Sequence, residues 1–314
     1  HNQGLAKITS SCIESLNNLI SDNKPDLVFV QGDTTSAFAG ALAAFYNKTK
    51  IAHIEAGLRS DNIYSPFPEE ANRKMISTLS HYHFCPTENA ADNLRNEGYS
   101  NNVYMVGNTV IDSLQDIIGS FSEKTEEEVF NLVPRLDLSK KIILVTAHRR
   151  ENFGIPLKNI CDALKELSAD DDIQIVYPVH PNPNVNKIVE SKLGKLSNVI
   201  LAPPLNYRSF IWLMNKSAVI VTDSGGIQEE AISLSKFVVV TREETERQEL
   251  IDSGWGFLVG TDINKIVNKT NYFLSIDNQN IPDKTNPFGD GTASSQIIEI
   301  IKNTITSHKA KVVM

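Results

Sequence analysis

The chain has 314 residues, 41% of them hydrophobic, and a formal net charge of −8 at pH 7, which is enough apolar material for two domains. That acidity excludes nucleic acid or an anionic membrane surface as the main partner. Three widely spaced cysteines, Cys12, Cys85 and Cys161, indicate neither a disulfide framework nor a metal site. No apolar run is long enough to span a bilayer and no signal peptide is visible, so the expected setting is a reducing cytoplasm.

The sequence opens at His1 on a helical pattern, LAKITSSCIESLNNLI, ahead of any strand, and the expectation is that further sequence precedes it. Apolar runs at 26–31, 50–55, 81–86 and 102–107 predict strands, and helical spacing over 34–46, 69–80, 88–96 and 110–120 predicts helices between them. The second half repeats the pattern, with strands at 141–147, 173–179, 198–202, 218–222 and 237–241. Unbroken Val/Ile/Leu strands alternating with helices predict parallel sheets made of βα units. The charged, proline-containing stretch 121–138 reads as an interdomain segment. It divides a first Rossmann-like domain, 1–120, from a second, 139–290. A loop over 277–291 leads into a final helix, the segment 291–314. Two such halves would enclose a cleft lined by loops from the carboxyl ends of strands, where ligands bind in this class.

The most telling stretch is AVIVTDSGGIQEEA, 218–231. The apolar strand stops at Asp223, passes through Ser224, Gly225 and Gly226, and continues with helical spacing. Two glycines let the backbone come close to a ligand, and the first-turn N–H groups of the helix suit an anion, most often a phosphate. Glu230, one turn further in, suits ribose hydroxyls. Taken alone, the same residues also read as an ordinary βα turn with a Ser cap.

Other strand ends carry charge. Asp33, in GDTTS (32–36), is either an acid of the site or part of a helix cap. Glu55 and Arg59, in HIEAGLRS (53–60), read as site residues or as an internal salt bridge. In YSPFPEEANR (64–73), Glu69 and Arg73 lie four apart on one helix face, a spacing that ordinarily gives a solvated pair. Glu70 suits the helix's positive end. If Asp33, Glu55 and Glu69 converge, they raise one another's pKa values toward the range for acid/base work near neutral pH. His148, Arg149 and Arg150 begin HRRENFG (148–154) and suit phosphate oxygens, unless Glu151 neutralises an Arg in a plain basic turn. His180, between prolines, is structural or an anion contact. TREETERQE (241–249) reads as a solvated charge run, with Arg247 as the residue able to close over a diphosphate. Walker A, G-x-G-x-x-G, G-x-S-x-G and H-E-x-x-H motifs are all missing, which removes support for kinase, nicotinamide oxidoreductase, serine hydrolase and zinc hydrolase readings.

In order, GDTTS, HIEAGLRS, YSPFPEEANR, HRRENFG, YPVHPNPNV, TDSGGIQEEA, ETERQE and NPFGDGTAS resemble the non-hydrolysing UDP-N-acetylglucosamine 2-epimerases over nearly the whole chain. The resemblance implies an α/β fold of two Rossmann-like domains in the glycosyltransferase-B architecture, with the active site in the interdomain cleft and the last helix returning to the first domain. It implies interconversion of UDP-GlcNAc and UDP-ManNAc by elimination of UDP to 2-acetamidoglucal and re-addition, with no redox cofactor and no metal. Asp33, Glu55 and Glu69 match the family's catalytic acids, and His148 its histidine at the departing diphosphate. Arg73, His180, Ser224, Gly225, Gly226, Glu230 and Arg247 match substrate-binding positions. Arg149 and Arg150 correspond to contacts of a second UDP-GlcNAc acting as effector, and a homodimer is expected. The family's opening strand and G-T-R-P-E-type loop have no counterpart here, so the first domain is expected to be truncated. The alternatives are an epimerase of a related UDP-2-acetamido sugar, a hydrolysing epimerase, a glycosyltransferase, and a UDP-sugar-binding module without turnover.

Overall fold

Every strand expected from an apolar run is a strand in the computed structural model of the chain, which describes residues 4–276 and 285–310, less the side chains of Arg150 and of 305–310. The chain divides into two compact units, 1–112 with 288–314, and 113–287. In the first, α1 (Leu5–Asn23) precedes β1 (Leu27–Gln31), α2 (Thr35–Tyr46), β2 (Lys50–Ile54), α3 (Glu69–Leu79), β3 (Tyr82–Cys85), α4 (Glu88–Asn96) and β4 (Val103–Met105). The four strands are parallel and lie in chain order, β1-β2-β3-β4. The division between units falls within α5 (Thr109–Gly119).

Local chemistry explains these elements. TSAFAGALAAFY is rich in strong helix formers, and the Thr34 side chain caps α2 by accepting from Ala37 N–H at 3.2 Å. β3 is buried at every position, as a parallel strand covered on both faces should be. Ala43, Ala44, Ile51 and Ile76 pack on one side of the sheet, and Ala52, Phe84 and Val106 on the other.

After the remainder of α5, the second unit runs through α6 (Glu123–Leu132), β5 (Lys141–Thr146), α7 (Ile155–Leu167), β6 (Ile173–Pro178), α8 (Pro183–Leu193), β7 (Val199–Ala202), α9 (Tyr207–Lys216), β8 (Val219–Thr222), α10 (Gly225–Ser233), β9 (Phe237–Val240), α11 (Gln248–Asp252), β10 (Gly256–Leu258) and α12 (Ile263–Leu274). Its six parallel strands run in the order β10-β9-β8-β5-β6-β7. The chain lays strands outward from β5 on one side, then returns to place β8 against β5 on the other. Such a reversal opens a crevice between two neighbouring strand ends.

Strand β10 and helix α6 escape the sequence reading, as do α11 and α12 after the last expected strand. β10 is a three-residue edge strand. The stretch expected to be an interdomain segment, 121–138, is largely helix α6. Ser122 and Thr125 cap it reciprocally, and Phe130 meets Trp212 of α9 at 6.2 Å. The units accordingly divide at 112/113 and 287/288. The final helix α13 (Ala293–Ala310) belongs to the first unit. Asp112 accepts from the N–H groups of Ala293 (3.2 Å) and Ser294 (2.8 Å), and Ile297 joins the cluster of Ala52, Phe84 and Val106. Of the expected loop 277–291, residues 277–284 lie outside the described residues. Among the described residues, no helix is long and apolar enough to cross a membrane.

Gly57, in the turn that follows β2, has φ +88°, and a Cβ there would stand 2.1 Å from the Ala90 carbonyl oxygen. Gly98 has φ +96° but open space around it. Gly57→Ala is therefore expected to cost about 3–5 kcal/mol, from backbone strain plus overlap, and Gly98→Ala only ~1–2 kcal/mol from strain. Urea unfolding of the two variants checks the difference; equal losses would contradict it.

Candidate functional site

In the first unit, β1 and β2 pair in register with Gln31 opposite Ile54, and Gly32 N–H donates to Ile54 O at 3.0 Å. Residues just beyond both strands therefore emerge side by side. Gly32 (φ +68°) and Glu55 (φ +63°) both adopt the left-handed conformation. A Cβ on Gly32 would lie 3.3 Å from Glu55 Oε2, so the Glu55 carboxylate rests over the backbone next to Asp33. Beneath them His53, fully buried in β2, contacts Gly32 O through Nε2 at 2.8 Å. Burial pushes its pKa down to about 4, and a carbonyl only accepts, so the neutral ring carries its proton on Nε2.

Arg73 fixes Asp33. Its Nε and Nη2 both lie 2.8 Å from Asp33 Oδ2, and its Nη1 lies 2.8 Å from Glu70 Oε2. Asn72 donates to the Asp33 carbonyl at 2.8 Å, and Ser60 N–H to Glu70 Oε2 at 3.1 Å. Arg73 is 3% exposed and Glu70 0%. This corrects the expectation of a solvated Glu69–Arg73 pair. The inward face of α3 carries Glu70, Arg73, Ile76 and Ser77, so Arg73 turns to buried carboxylates. Glu69 opens the same helix, partly exposed, and its carboxylate has no partner among the described residues. Arg59 is committed to Glu97 through two 2.7 Å contacts. The structure thus gathers Asp33, Glu55 and Arg73 and sets Glu69 at the head of the adjoining helix.

In the second unit, the loops after β5 and β8 leave neighbouring strands. Asp223, fully buried, ties them together: its Oδ2 accepts from His148 N–H, Arg149 N–H and Asn152 Nδ2, each at 2.9 Å. His148 Nδ1 lies 3.7 Å from Asp223 Oδ1, and its ring stacks on His180 at 5.3 Å with a 6° tilt. Partial burial lowers the His148 pKa, Asp223 opposes that, and His180 and Arg149 add to it. Glu151 pairs with Arg242 at 3.3 Å. The Arg150 side chain lies outside the described residues.

Helix α10 starts as an anion site should. Ser224 is its N-cap but makes no side-chain cap bond, and the first turn holds no acid. The N–H groups of Gly225, Gly226 and Ile227 have no acceptor among the described residues, and the space beside Gly226 is open. Such a turn offers aligned donors and the positive helix end. Arg247 lies against it: a Cβ on Gly225 would stand 3.1 Å from the guanidinium. Arg247 is 7% exposed, with Nε 2.8 Å from Glu229 Oε1 and Nη1 3.6 Å from Glu246 Oε2. Glu246 also holds Arg242 at 2.7 Å. Within the stretch 241–249, expected to be a solvated charge run, Arg242, Glu246 and Arg247 are instead buried in an ion-pair network, while Glu243 and Glu244 stay exposed. Strand β9 and the turn after it carry these charges inward, where they must be paired. Glu230, also buried, accepts from Tyr207 Oη at 2.5 Å, and burial raises its pKa to about 7.

Sequence reasoning did not single out His53, Asn72, Asn152, Tyr207 or Glu229. Asn152 carried the clearest signal, as a polar residue inside the same HRRENFG motif. Because Arg73 bridges two carboxylates while almost wholly buried, Arg73→Gln is expected to lower unfolding stability by about 3–5 kcal/mol, leaving Glu70 without its cation. A loss under ~1 kcal/mol in urea denaturation would contradict this.

The family model described as UDP-N-acetylglucosamine 2-epimerase matches residues 1–302. The UDP-N-acetylglucosamine 2-epimerase of Escherichia coli is 48% identical over 308 residues, which cover 96% of this chain and 82% of that protein. The crystal structure of the Neisseria meningitidis UDP-GlcNAc 2-epimerase bound to UDP-GlcNAc matches with a TM-score of 0.91 and 42% identity, covering 96% of this chain and 83% of that one. The Methanocaldococcus jannaschii UDP-GlcNAc 2-epimerase, in complex with UDP-GlcNAc and UDP, matches with a TM-score of 0.84 at 32% identity over 96% of this chain and 82% of its own. The chain belongs to the UDP-N-acetylglucosamine 2-epimerase family.

Proposed function

We propose that the protein is an isomerase that interconverts UDP-GlcNAc and UDP-ManNAc by elimination and re-addition of UDP. The observation that carries this reading is the pair of carboxylates, Asp33 and Glu55, delivered side by side by the matched ends of β1 and β2. Inversion at C2 requires a base on one face of the sugar and an acid on the other. Asp33, Glu55 and Glu69 supply these groups. Proton removal from C2 pushes electrons toward C1, the C1–O bond breaks, and the pair passes to a β-phosphate oxygen. The intermediate is 2-acetamidoglucal. Re-addition of UDP with protonation on the opposite face completes the inversion, so no redox partner is consumed.

The leaving group gains negative charge as it departs. The open first turn of α10, Arg247 and His148 meet that charge with donors already in place, the arrangement in which fixed dipoles lower a barrier most. Arg73 orients Asp33, and Glu230 accepts from the ribose. An effector UDP-GlcNAc held through Arg149 and Arg150, a homodimer and a cytoplasmic setting belong to the same proposal.

In deuterium oxide, the protein is expected to incorporate one deuterium at C2 while converting UDP-GlcNAc, with no added cofactor. Asp33→Asn, Glu55→Gln and Glu69→Gln are each expected to slow this by about 10²–10⁴-fold. Wild-type exchange in all three variants would remove the carboxylates from the mechanism. Exchange confined to another UDP-2-acetamido sugar would change the substrate and keep the chemistry.

Glu230 adds a pH dependence. Its ionised form is the stronger acceptor for ribose hydroxyls, so UDP affinity is expected to rise as pH increases through about 7. Calorimetry from pH 6 to pH 8 on the protein and on Glu230→Gln isolates this contribution from the titration of UDP itself. Equal slopes for the two proteins would contradict the ribose contact.

A further inference from the structure

Asp223 uses its two oxygens differently. Oδ2 accepts three donors, His148 N–H, Arg149 N–H and Asn152 Nδ2, each at 2.9 Å, which holds the loop after β5 against the end of β8. Asn152 is itself buried and also bonds Thr241 O at 3.2 Å, so the loop's far end is anchored to the end of β9. Oδ1 is buried and has no hydrogen-bond partner among the described residues. The polar atom facing it is His148 Nδ1, at 3.7 Å. One oxygen builds the loop, and the other is left for the imidazole.

At 3.7 Å the contact is electrostatic and longer than a hydrogen bond, and a carboxylate oxygen beside a ring nitrogen favours the tautomer with the proton on that nitrogen. Neutral His148 is then the Nδ1–H tautomer, with the lone pair on Nε2. When the ring takes a second proton, Nε2–H becomes a donor and the carboxylate compensates the new charge. The stacked face is closed by His180, whose own Nδ1 accepts from Asn182 N–H at 3.1 Å. The ring therefore lies parallel to His180 and turns Nδ1 toward Asp223 Oδ1.

We infer that Asp223 is the positioning residue for His148: it fixes the Nδ1–H tautomer and makes Nε2 the atom that delivers a proton to the departing diphosphate. The inference rests on the epimerase reading for the identity of the leaving group. In the step, the C1–O bond breaks with its electron pair going to the β-phosphate oxygen, that oxygen takes the Nε2 proton, and His148 becomes the neutral Nδ1–H ring. Re-addition of UDP runs the same transfer backward. The charged and titratable groups acting on His148 are Asp223, which favours its protonated form, and His180 and Arg149, which oppose it together with partial burial. Asp223 is the only one of these that favours the proton donor.

Asp223→Asn tests this with little change in shape. The amide oxygen can still accept from His148 N–H, Arg149 N–H and Asn152, while the amide NH2 faces Nδ1 and compels it to accept. The ring then adopts the Nε2–H tautomer, and its pKa falls because the carboxylate that favours the protonated ring is gone. Nitrogen-15 NMR of histidine-labelled full-length protein, with His148→Gln to assign the signal, reads both quantities without substrate. The expected results are Nδ1–H in the wild type and Nε2–H in the variant. In the C2 exchange assay, Asp223→Asn should lower kcat by ~10²-fold or more with KM within about threefold, shift the kcat–pH profile downward, and add little further loss on top of His148→Gln. An Nε2–H ring in the wild type overturns the inference, even if the variant fails to fold. So does a variant with an unchanged tautomer and an unchanged pH profile. Absence of epimerisation by the wild type would instead defeat the proposed function, while the NMR result would still decide what Asp223 does to His148.

Discussion

A charge taken out of water must be met by partners, and in each unit this requirement decides where the working loops lie. In the first unit the buried guanidinium of Arg73 draws Asp33 and Glu70 to itself, so the loop after β1 and the start of α3 are fixed to one another. In the second the buried carboxylate of Asp223 collects three donors and pins the loop after β5 to the end of β8. Parallel strands supply the platform, and buried charges set the loops that stand on it.

The two units have complementary electrostatic character. The first offers carboxylates on fixed backbone, one of them resting over a left-handed glycine. The second offers donors: an uncapped helix start, the Arg247 guanidinium and an imidazole. Arg247 is already paired with Glu229 and Glu246, which reduces its net charge but locks its direction. For a leaving group whose charge grows during the reaction, fixed direction matters as much as charge, because nothing has to reorganise at the moment of bond cleavage. Glycine at 225 belongs to the same arrangement, since any side chain there would press on the guanidinium.

Much of this was legible in the sequence. Strand positions follow from unbroken Val/Ile/Leu runs, and the motif residues Asp33, Glu55, His148 and Ser224–Gly226 stand out because each lies directly after such a run. The burial of Arg73, Arg242 and Arg247 was not legible: local spacing makes Glu69–Arg73 and the 241–249 stretch look solvated, and only the tertiary partners Asp33, Glu151 and Glu229 reverse that. Helix α6 was hidden by its own charge, although the Ser122–Thr125 cap and the spacing of Val129 and Val133 were present. Strand β10 is too short to show a period. The pairing of Asp223 with His148 spans 75 residues of sequence and follows only from the strand order that seats β8 beside β5.

The central claim is that the bond between the sugar and its diphosphate breaks and re-forms while the sugar remains bound. UDP-GlcNAc carrying an oxygen isotope in the bridge between C1 and the β-phosphorus tests it most directly. If the diphosphate is released and turns within the site, the label moves from the bridge to the non-bridging β-phosphate positions during epimerisation, which phosphorus NMR detects. Epimerisation with the label held entirely in the bridge, and with neither UDP nor 2-acetamidoglucal released on prolonged turnover, would contradict the account, because C2 would then invert with no sign of UDP departing.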